Sequence, residues 1–104
     1  MAAVVIEPVV ERAPDVEWLR RARALCDANG AVLVFDEVKT GFRVASGGWQ
    51  EVSGVTPDLC SIGKALANGY PLAAVVGRDE LMKSARHTWI SSTLASRRDR
   101  KSVV

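Results

Sequence analysis

An unbroken apolar run leads directly into two acids in the segment from Val32 to Thr40, which reads VLVFDEVKT. A run that is apolar at every position is typical of a strand buried on both faces, as strands are in parallel sheets. In open α/β sheets, ligands bind beyond the carboxyl ends of such strands. The segment therefore predicts that a core strand holds Asp36 and Glu37 at the edge of a site.

The residues before this strand predict a βαβ unit. A short β-branched run, Ala3–Ile6, leads to a proline and is expected to be the first strand. Asp15 is a favourable N-cap and Gly30 a favourable C-terminal stop, so a helix is expected between them. The second strand is expected at Ala31–Phe35, which favours a parallel pair. Helical spacing predicts inward positions at Val16, Leu19, Ala22, Leu25 and Cys26, with Arg20, Arg21, Arg23 and Asp27 facing elsewhere.

Two further strands and a short helix are predicted later in the chain. The runs Leu59–Ile62 and Leu72–Val76 are apolar, and only nine residues separate them. This is too short for a crossover helix, so the last strand is expected to run antiparallel. Glu80–Arg86 is expected to be helical, whereas residues 42–56 fit neither period and are expected to form a long loop. The fold class is thus α/β, with a mostly parallel sheet, covering helices and an antiparallel last strand.

The composition excludes several classes of protein. The 104 residues are the size of one domain, and the net charge of +2 is too small to favour a nucleic-acid surface. No apolar run approaches the roughly 20 residues that cross a bilayer, and the N-terminal residues lack a signal-peptide pattern. Cys26 and Cys60 have no metal-ligand spacing. They are expected to be reduced structural thiols of a cytoplasmic protein without a metal site.

Polar residues end three of the predicted strands at one edge: Glu7, then Asp36 with Glu37, then Lys64. These groups suit pyridoxal 5'-phosphate (PLP), which needs a lysine to hold its aldehyde and an acid to pair with its ring nitrogen. The acid's charge favours the protonated ring nitrogen. The lysine acts first as a nucleophile and then as a base and an acid. If Asp36 has strand geometry, Val38 points to the same face and packs under the ring.

A P-loop ATPase also places an Asp-Glu pair after an apolar strand. That class requires the pattern G-x-x-x-x-G-K-[ST]. Here Gly63-Lys64 is followed by Ala65, and the preceding glycine, Gly54, lies nine positions before Gly63. A nucleotide-binding ATPase module is therefore the weaker alternative.

Several other residues have both a structural and a functional interpretation. Lys39 is a rival amine, but it lacks the Gly-Lys context, and a solvated lysine is expected. Glu7 and Glu37 are expected to make structural hydrogen bonds. Arg43 suits a carboxylate substrate and a loop-fixing ion pair equally well. Packing in the core or at an interface is expected for the three tryptophans, Trp18, Trp49 and Trp89.

The stretch Val34–Met82, VFDEVKTGFRVASGGWQEVSGVTPDLCSIGKALANGYPLAAVVGRDELM, resembles the core of the class III PLP-dependent aminotransferases of fold type I. The motifs D-E-V-x-T-G-F, P-D-apolar and G-K-x-apolar-x-x-G-x-P recur in the family's order. The version TGFRVASGG is most similar to the glutamate-1-semialdehyde 2,1-aminomutase branch. The resemblance implies that Asp36 pairs with the ring nitrogen and that Val38 packs against the ring. It also implies that Lys64 is the Schiff-base lysine.

The resemblance further implies how the parent enzyme works and assembles. An amino group would move between a small-molecule amine or amino acid and a carbonyl substrate. The parent would be a homodimer in which Thr93, in the segment SSTLAS, binds the cofactor phosphate of the neighbouring site. No nucleic acid or membrane is expected as a partner.

The resemblance covers residues 3–96, so residues 1–96 are predicted to be part of the large domain of such an enzyme. The last segment, residues 97–104 or RRDRKSVV, resembles nothing in the family. Residues 99–104 look like the translation of a sequencing adapter read up to its stop codon. The chain is therefore expected to be an internal piece of an enzyme and inactive by itself. A gene or assembly fragment with no activity of its own remains the alternative.

Overall fold

Four strands form one sheet in the computed structural model, which describes residues 2–85 and residue 87. They lie across the sheet in the order β1 (Ala3–Ile6), β2 (Val32–Asp36), β3 (Leu59–Ile62) and β4 (Ala74–Gly77). The first three strands are parallel, whereas β4 runs antiparallel to β3. The predicted fold class, a mostly parallel α/β sheet with an antiparallel last strand, is confirmed.

Three helices accompany the sheet in this part of the chain: α1 (Val16–Asn29), α2 (Gly48–Ser53) and α3 (Asp79–Ala85). Both predicted ends of α1 are confirmed. The carboxylate of Asp15 accepts the backbone N–H of Glu17 at 2.9 Å. At the other end Gly30 adopts a left-handed φ of 62°, a conformation that favours glycine.

Some predicted boundaries differ from the structure. The strand β2 lies one residue later than expected, and β4 begins at Ala74 rather than at Leu72. The N–H of Leu72 bonds to the carbonyl of Tyr70 at 2.8 Å, within a turn. Because β3 ends at Ile62, the partner of Ala74, it offers no pairing partner to the residues before Ala74.

The region expected to be a long loop, residues 42–56, contains the helix α2, so that prediction was wrong in part. The helix has only six residues, which is less than two turns and too short to show a helical period in the sequence. Glycines flank it at Gly47 and Gly54, and Gly54 closes it with a left-handed φ of 70°. Contacts from elsewhere in the chain hold this helix, as described below.

The hydrophobic core lies between α1 and one face of the sheet. Its buried members are Leu19, Cys26, Leu33, Phe35, Val55 and Cys60. Two predictions for α1 were wrong. Leu25 is 64% exposed, although it was expected to face inward. Arg23 was expected to face outward, but it turns to the sheet because it pairs with Asp58.

The opposite face of the sheet is largely open in the described residues. Val5, Val34, Leu59 and Gly77 form one row across the four strands on that face, and Val5 is 68% exposed. The continuous apolar strands predicted helices over both faces, and the described helices leave this one open. Within residues 2–85 and residue 87, no helix is both long and apolar enough to cross a membrane.

Candidate active site

Two hydrogen bonds fix the side chain of Asp36 at the carboxyl end of β2. Its Oδ1 atom accepts the backbone N–H of Val38 and the hydroxyl of Ser61, each at 3.1 Å. Ser61 is the partner of Asp36 on the neighbouring parallel strand, so the two side chains leave the same face of the sheet. No hydrogen bond from the described residues reaches Oδ2. The half-buried carboxylate therefore keeps one oxygen available for a ligand.

Val38 lies beside the Gly63-Lys64 step at the end of β3. A Cβ built on Gly63 would lie 3.5 Å from Cγ1 of Val38 and 3.8 Å from Cβ of Ala73. Val38 and Ala73 thus form an apolar surface on either side of this buried glycine. The structure brings Asp36, Val38 and Lys64 to one edge of the sheet, as the predicted strand order requires.

Lys64 is exposed and begins a single 3-10 turn, Lys64–Ala67, directly after β3. Its backbone φ is 38°, in the left-handed region. Few residues other than glycine adopt this conformation, which costs about 1–3 kcal/mol and is concentrated at functional sites. Among the described residues, none forms an ion pair or hydrogen bond with its amine. The Lys64 amine is therefore accessible at the sheet edge and is available for chemistry.

The second acid, Glu37, lies on the core face of the sheet and is 1% exposed. Its Oε2 atom accepts the hydroxyl of Thr40 at 2.8 Å and the backbone N–H of Trp49 at 2.6 Å. Its Oε1 atom accepts the N–H of Gln50 at 3.2 Å. A Cβ on Gly48 would collide with this carboxylate. Glu37 thus anchors the start of α2, in agreement with the structural role expected for it.

Glu7 and Lys39 form an ion pair in which Nζ of Lys39 lies 3.1 Å from Oε1 of Glu7. The same amine donates to the carbonyl of Val10 at 2.9 Å. The rival amine is therefore occupied, unlike that of Lys64. Arg43 is exposed and makes no ion pair within residues 2–85, so the loop-fixing ion pair considered for it is not found there.

Asp58, which the sequence analysis did not single out, joins three elements of the fold. Its carboxylate accepts the N–H of Leu33 at 2.8 Å, Nη1 of Arg23 at 2.9 Å and Nη1 of Arg78 at 3.1 Å. Burial raises the pKa of this carboxyl, but the hydrogen bonds from Leu33, Arg23 and Arg78 outweigh it and hold the pKa below its ordinary value. The only signal in the sequence was the P-D motif before β3, since the three donors are distant along the chain.

An open cleft lies on the core face of the sheet, lined by Glu37, Cys60 and Val76 among others. Neither Asp36 nor Lys64 lines this cleft. The cleft is therefore separate from the edge where the candidate site lies.

Both cysteines are free and buried, as expected for structural thiols. Burial raises the pKa of the Cys60 thiol to about 11, and the negative charges of Glu37 and Asp36 contribute to the same shift. At neutral pH this thiol is therefore protonated and a poor nucleophile.

Some of the predicted features lie outside the described residues: Thr93, Trp89 and the segment 97–104. Of the other tryptophans, Trp49 packs against the core, whereas Trp18 is 53% exposed. In residues 2–85 and 87, no group of three or more histidine, cysteine, aspartate or glutamate residues is placed to hold a metal ion.

The fold is an α/β sheet with an edge that presents an amine and a carboxylate together. The family described as aminotransferase class III matches residues 1–97. The chain belongs to this family. The assignment gives no support to the ATPase alternative.

Several solved structures, two of them described as transaminases, are similar to this chain. An omega-transaminase from Sphaerobacter thermophilus is 42% identical over 77% of the chain, with a TM-score of 0.73. The FumI protein of Sphingopyxis sp. MTA144, in its PLP internal aldimine form, is 36% identical over 88%, with a TM-score of 0.79. A transaminase with PLP bound is 39% identical over 77%, with a TM-score of 0.73. The chain spans 19%, 24% and 20% of these three structures, respectively.

Proposed function

We propose that this chain is the cofactor-binding part of a PLP-dependent transaminase, which transfers an amino group between a small-molecule amine or amino acid and a carbonyl compound. When bound, PLP supplies an electron sink for the charge that develops at the substrate's α-carbon. The observation that carries the proposal is the meeting of Asp36, Val38 and Lys64 at one sheet edge, with one carboxylate oxygen and one amine uncommitted among the described residues. Family membership and the PLP-containing relatives support it.

The residues at this edge fit a flat, electron-poor ring that carries an aldehyde. The Oδ2 atom of Asp36 would accept the ring N–H, and a fixed negative charge there would keep the ring nitrogen protonated. The side chain of Val38, beside Gly63, offers the apolar surface on which one face of the ring packs.

Lys64 supplies the amine that binds the aldehyde. It is exposed, has no ionic partner among the described residues and sits in a strained backbone conformation at the end of a core strand. With PLP and substrate bound, the Lys64 amine would be the group that carries the proton from the substrate's α-carbon.

Borohydride labelling of the full-length protein, meaning the longer enzyme of which this chain is proposed to be a part, tests this assignment. Borohydride reduces a carbon–nitrogen double bond between lysine and cofactor to a stable amine, so peptide mapping should find the cofactor on the peptide that contains Lys64. Lys64→Ala should lose both the label and the turnover. The matched control, Lys39→Ala, should keep both, because Lys39 is paired with Glu7.

Label on Lys39, or on another lysine, would refute the role of Lys64. A full-length protein that takes up no PLP would instead favour the non-enzymatic fragment. These two results are distinguishable, because the first retains a coloured, reducible cofactor.

A second candidate activity is aminomutase chemistry, in which the amino group moves within one molecule. The segment Thr40–Gly48, TGFRVASGG, favours it by its similarity to the glutamate-1-semialdehyde aminomutase branch. The substrate requirement separates the two. A transaminase needs an amino donor and a separate carbonyl acceptor, whereas an aminomutase converts a single amino-carbonyl compound to its isomer with no second substrate.

The same proposal extends to assembly and location. In a homodimer, Thr93 would bind the phosphate of the cofactor in the neighbouring site, and the enzyme would work in the cytoplasm. Thr93→Val in the full-length protein should weaken PLP binding without changing which lysine is labelled.

A further inference from the structure

Ser61 is the residue next to Asp36 whose contact the proposed function leaves unexplained. Its hydroxyl donates to Oδ1 of Asp36 at 3.1 Å across the pair β2–β3. The other donor to Oδ1, the N–H of Val38, is two residues along the same chain segment and is an ordinary turn contact. The serine hydroxyl comes from a different strand, where it serves no turn.

We propose that Ser61 is a positioning residue that orients the Asp36 carboxylate toward the cofactor ring; the inference rests on the proposed function. With Ser61 and Val38 both bound to Oδ1, the carboxylate plane is fixed and Oδ2 is the oxygen left for the ring nitrogen. A carboxylate held in this orientation would direct Oδ2 at the ring nitrogen, and a negative charge placed there favours the protonated ring.

The position of Ser61 supports this role over simple packing. As the register partner of Asp36, it is held at a fixed separation by the parallel ladder. The ladder continues past it, since its carbonyl accepts the N–H of Glu37 at 2.9 Å. A side chain one carbon longer would place its polar group beyond Oδ1. The short hydroxyl side chains, serine and threonine, are the ones that donate at this distance without moving either strand.

The test uses three variants of the full-length protein and PLP labelled with nitrogen-15 in its ring. In the unaltered protein and in Ser61→Thr, the chemical shift of the ring nitrogen at neutral pH should report the protonated form. In Ser61→Ala the shift should move toward the neutral form, and the dissociation constant of PLP should rise about ten-fold, as expected for one lost hydrogen bond to a charged group. Ser53→Ala is the matched control, because it removes a buried serine hydroxyl whose hydrogen bond within the described residues is the one it accepts from the N–H of Val55. Its ring-nitrogen shift should be unchanged.

The outcomes separate this inference from the function on which it rests. If Ser61→Ala binds PLP with unchanged affinity and an unchanged shift, Ser61 does not position Asp36, while the transaminase assignment stands. If Ser61→Ala fails to fold, Ser61→Thr decides: a protonated ring supports the inference, and a neutral ring overturns it. If the unaltered protein binds PLP with a neutral ring nitrogen, the pairing of Asp36 with the ring fails and the role of Ser61 fails with it.

Discussion

Arg23 of α1 and Asp58 at the start of β3 form an ion pair at 2.9 Å that ties the helix to the sheet. The Asp58 side chain is 8% exposed and that of Arg23 is 19% exposed. A second bond of the same carboxylate holds the N–H of Leu33 in the central strand. The P-D motif therefore serves the fold rather than the chemistry, since it fixes β3, the strand that precedes Lys64.

Asp58→Asn should lower the free energy of unfolding of the full-length protein by about 3 kcal/mol or more, since the change leaves buried donors facing an amide. Asp27→Asn is the matched control, because it removes the second ion-pair partner of Arg23. The side chain of Asp27 is 65% exposed, so its loss should cost less than about 1 kcal/mol of stability. Urea denaturation measures both. Equal losses of stability in the two variants would contradict the role of Asp58 in holding Leu33, Arg23 and Arg78 together.

The pH dependence of the free energy of unfolding tests whether the charge of Asp58 stabilises the fold. Its pKa in the folded protein lies below the ordinary value of 3.8. The stabilisation is therefore complete above about pH 4 and is lost as the pH falls through the lowered pKa. The difference between the unaltered protein and Asp58→Asn should shrink between neutral pH and about pH 3. A constant difference would mean that the charge of Asp58 contributes little.

Asp36→Asn should keep the shape of the candidate site but remove the charge that is proposed to pair with the ring nitrogen. PLP should still bind, more weakly, and the single-turnover rate with an amine should fall roughly a hundred-fold or more. Stopped-flow absorbance of the bound cofactor measures that rate. Asp79→Asn, at an exposed acid on α3, should leave it unchanged. A near-normal rate in Asp36→Asn would mean that another acid pairs with the ring nitrogen.

Gly48 and Gly54 offer a matched pair, because their φ angles are 71° and 70°. Alanine at Gly54 meets open space, so Gly54→Ala should cost only the left-handed strain, about 1–2 kcal/mol. Alanine at Gly48 would also displace the Glu37 carboxylate, so Gly48→Ala should cost clearly more. Hydrogen exchange should then become faster at the backbone N–H of Trp49, because this group donates a hydrogen bond to the Glu37 carboxylate. Similar losses of stability in both variants would show that the Glu37 carboxylate moves away from the added methyl group at position 48 without destabilising the protein.

Cys60 should resist alkylation in the native protein. Burial, with the charges of Glu37 and Asp36, raises its pKa to about 11, and only the thiolate reacts. Iodoacetamide at about pH 8 should leave Cys60 unmodified until urea unfolds the protein. Peptide mass mapping follows the reaction. Rapid native labelling at Cys60 would mean that the core face opens readily.

The sequence by itself determined the order of the elements and the edge at which the site lies. Apolar runs of four or five residues, the Asp15 cap and the Gly30 stop are local signals. They placed α1 correctly and β1, β2 and β3 to within one residue. The short link before the last strand was enough to predict its antiparallel direction. Because the carboxyl ends of parallel strands share an edge, the sequence alone predicts that Asp36 and Lys64 lie together.

Only the tertiary structure decided how the site is held. The helix α2 is too short to show a period and forms where the buried carboxylate of Glu37 binds its first N–H groups. Arg23 faces the sheet because Asp58, 35 residues later, offers it a carboxylate. Ser61 reaches Asp36 only through the strand register. These contacts join residues that are distant in the chain, and a periodic pattern records which face is apolar but not which polar groups will meet.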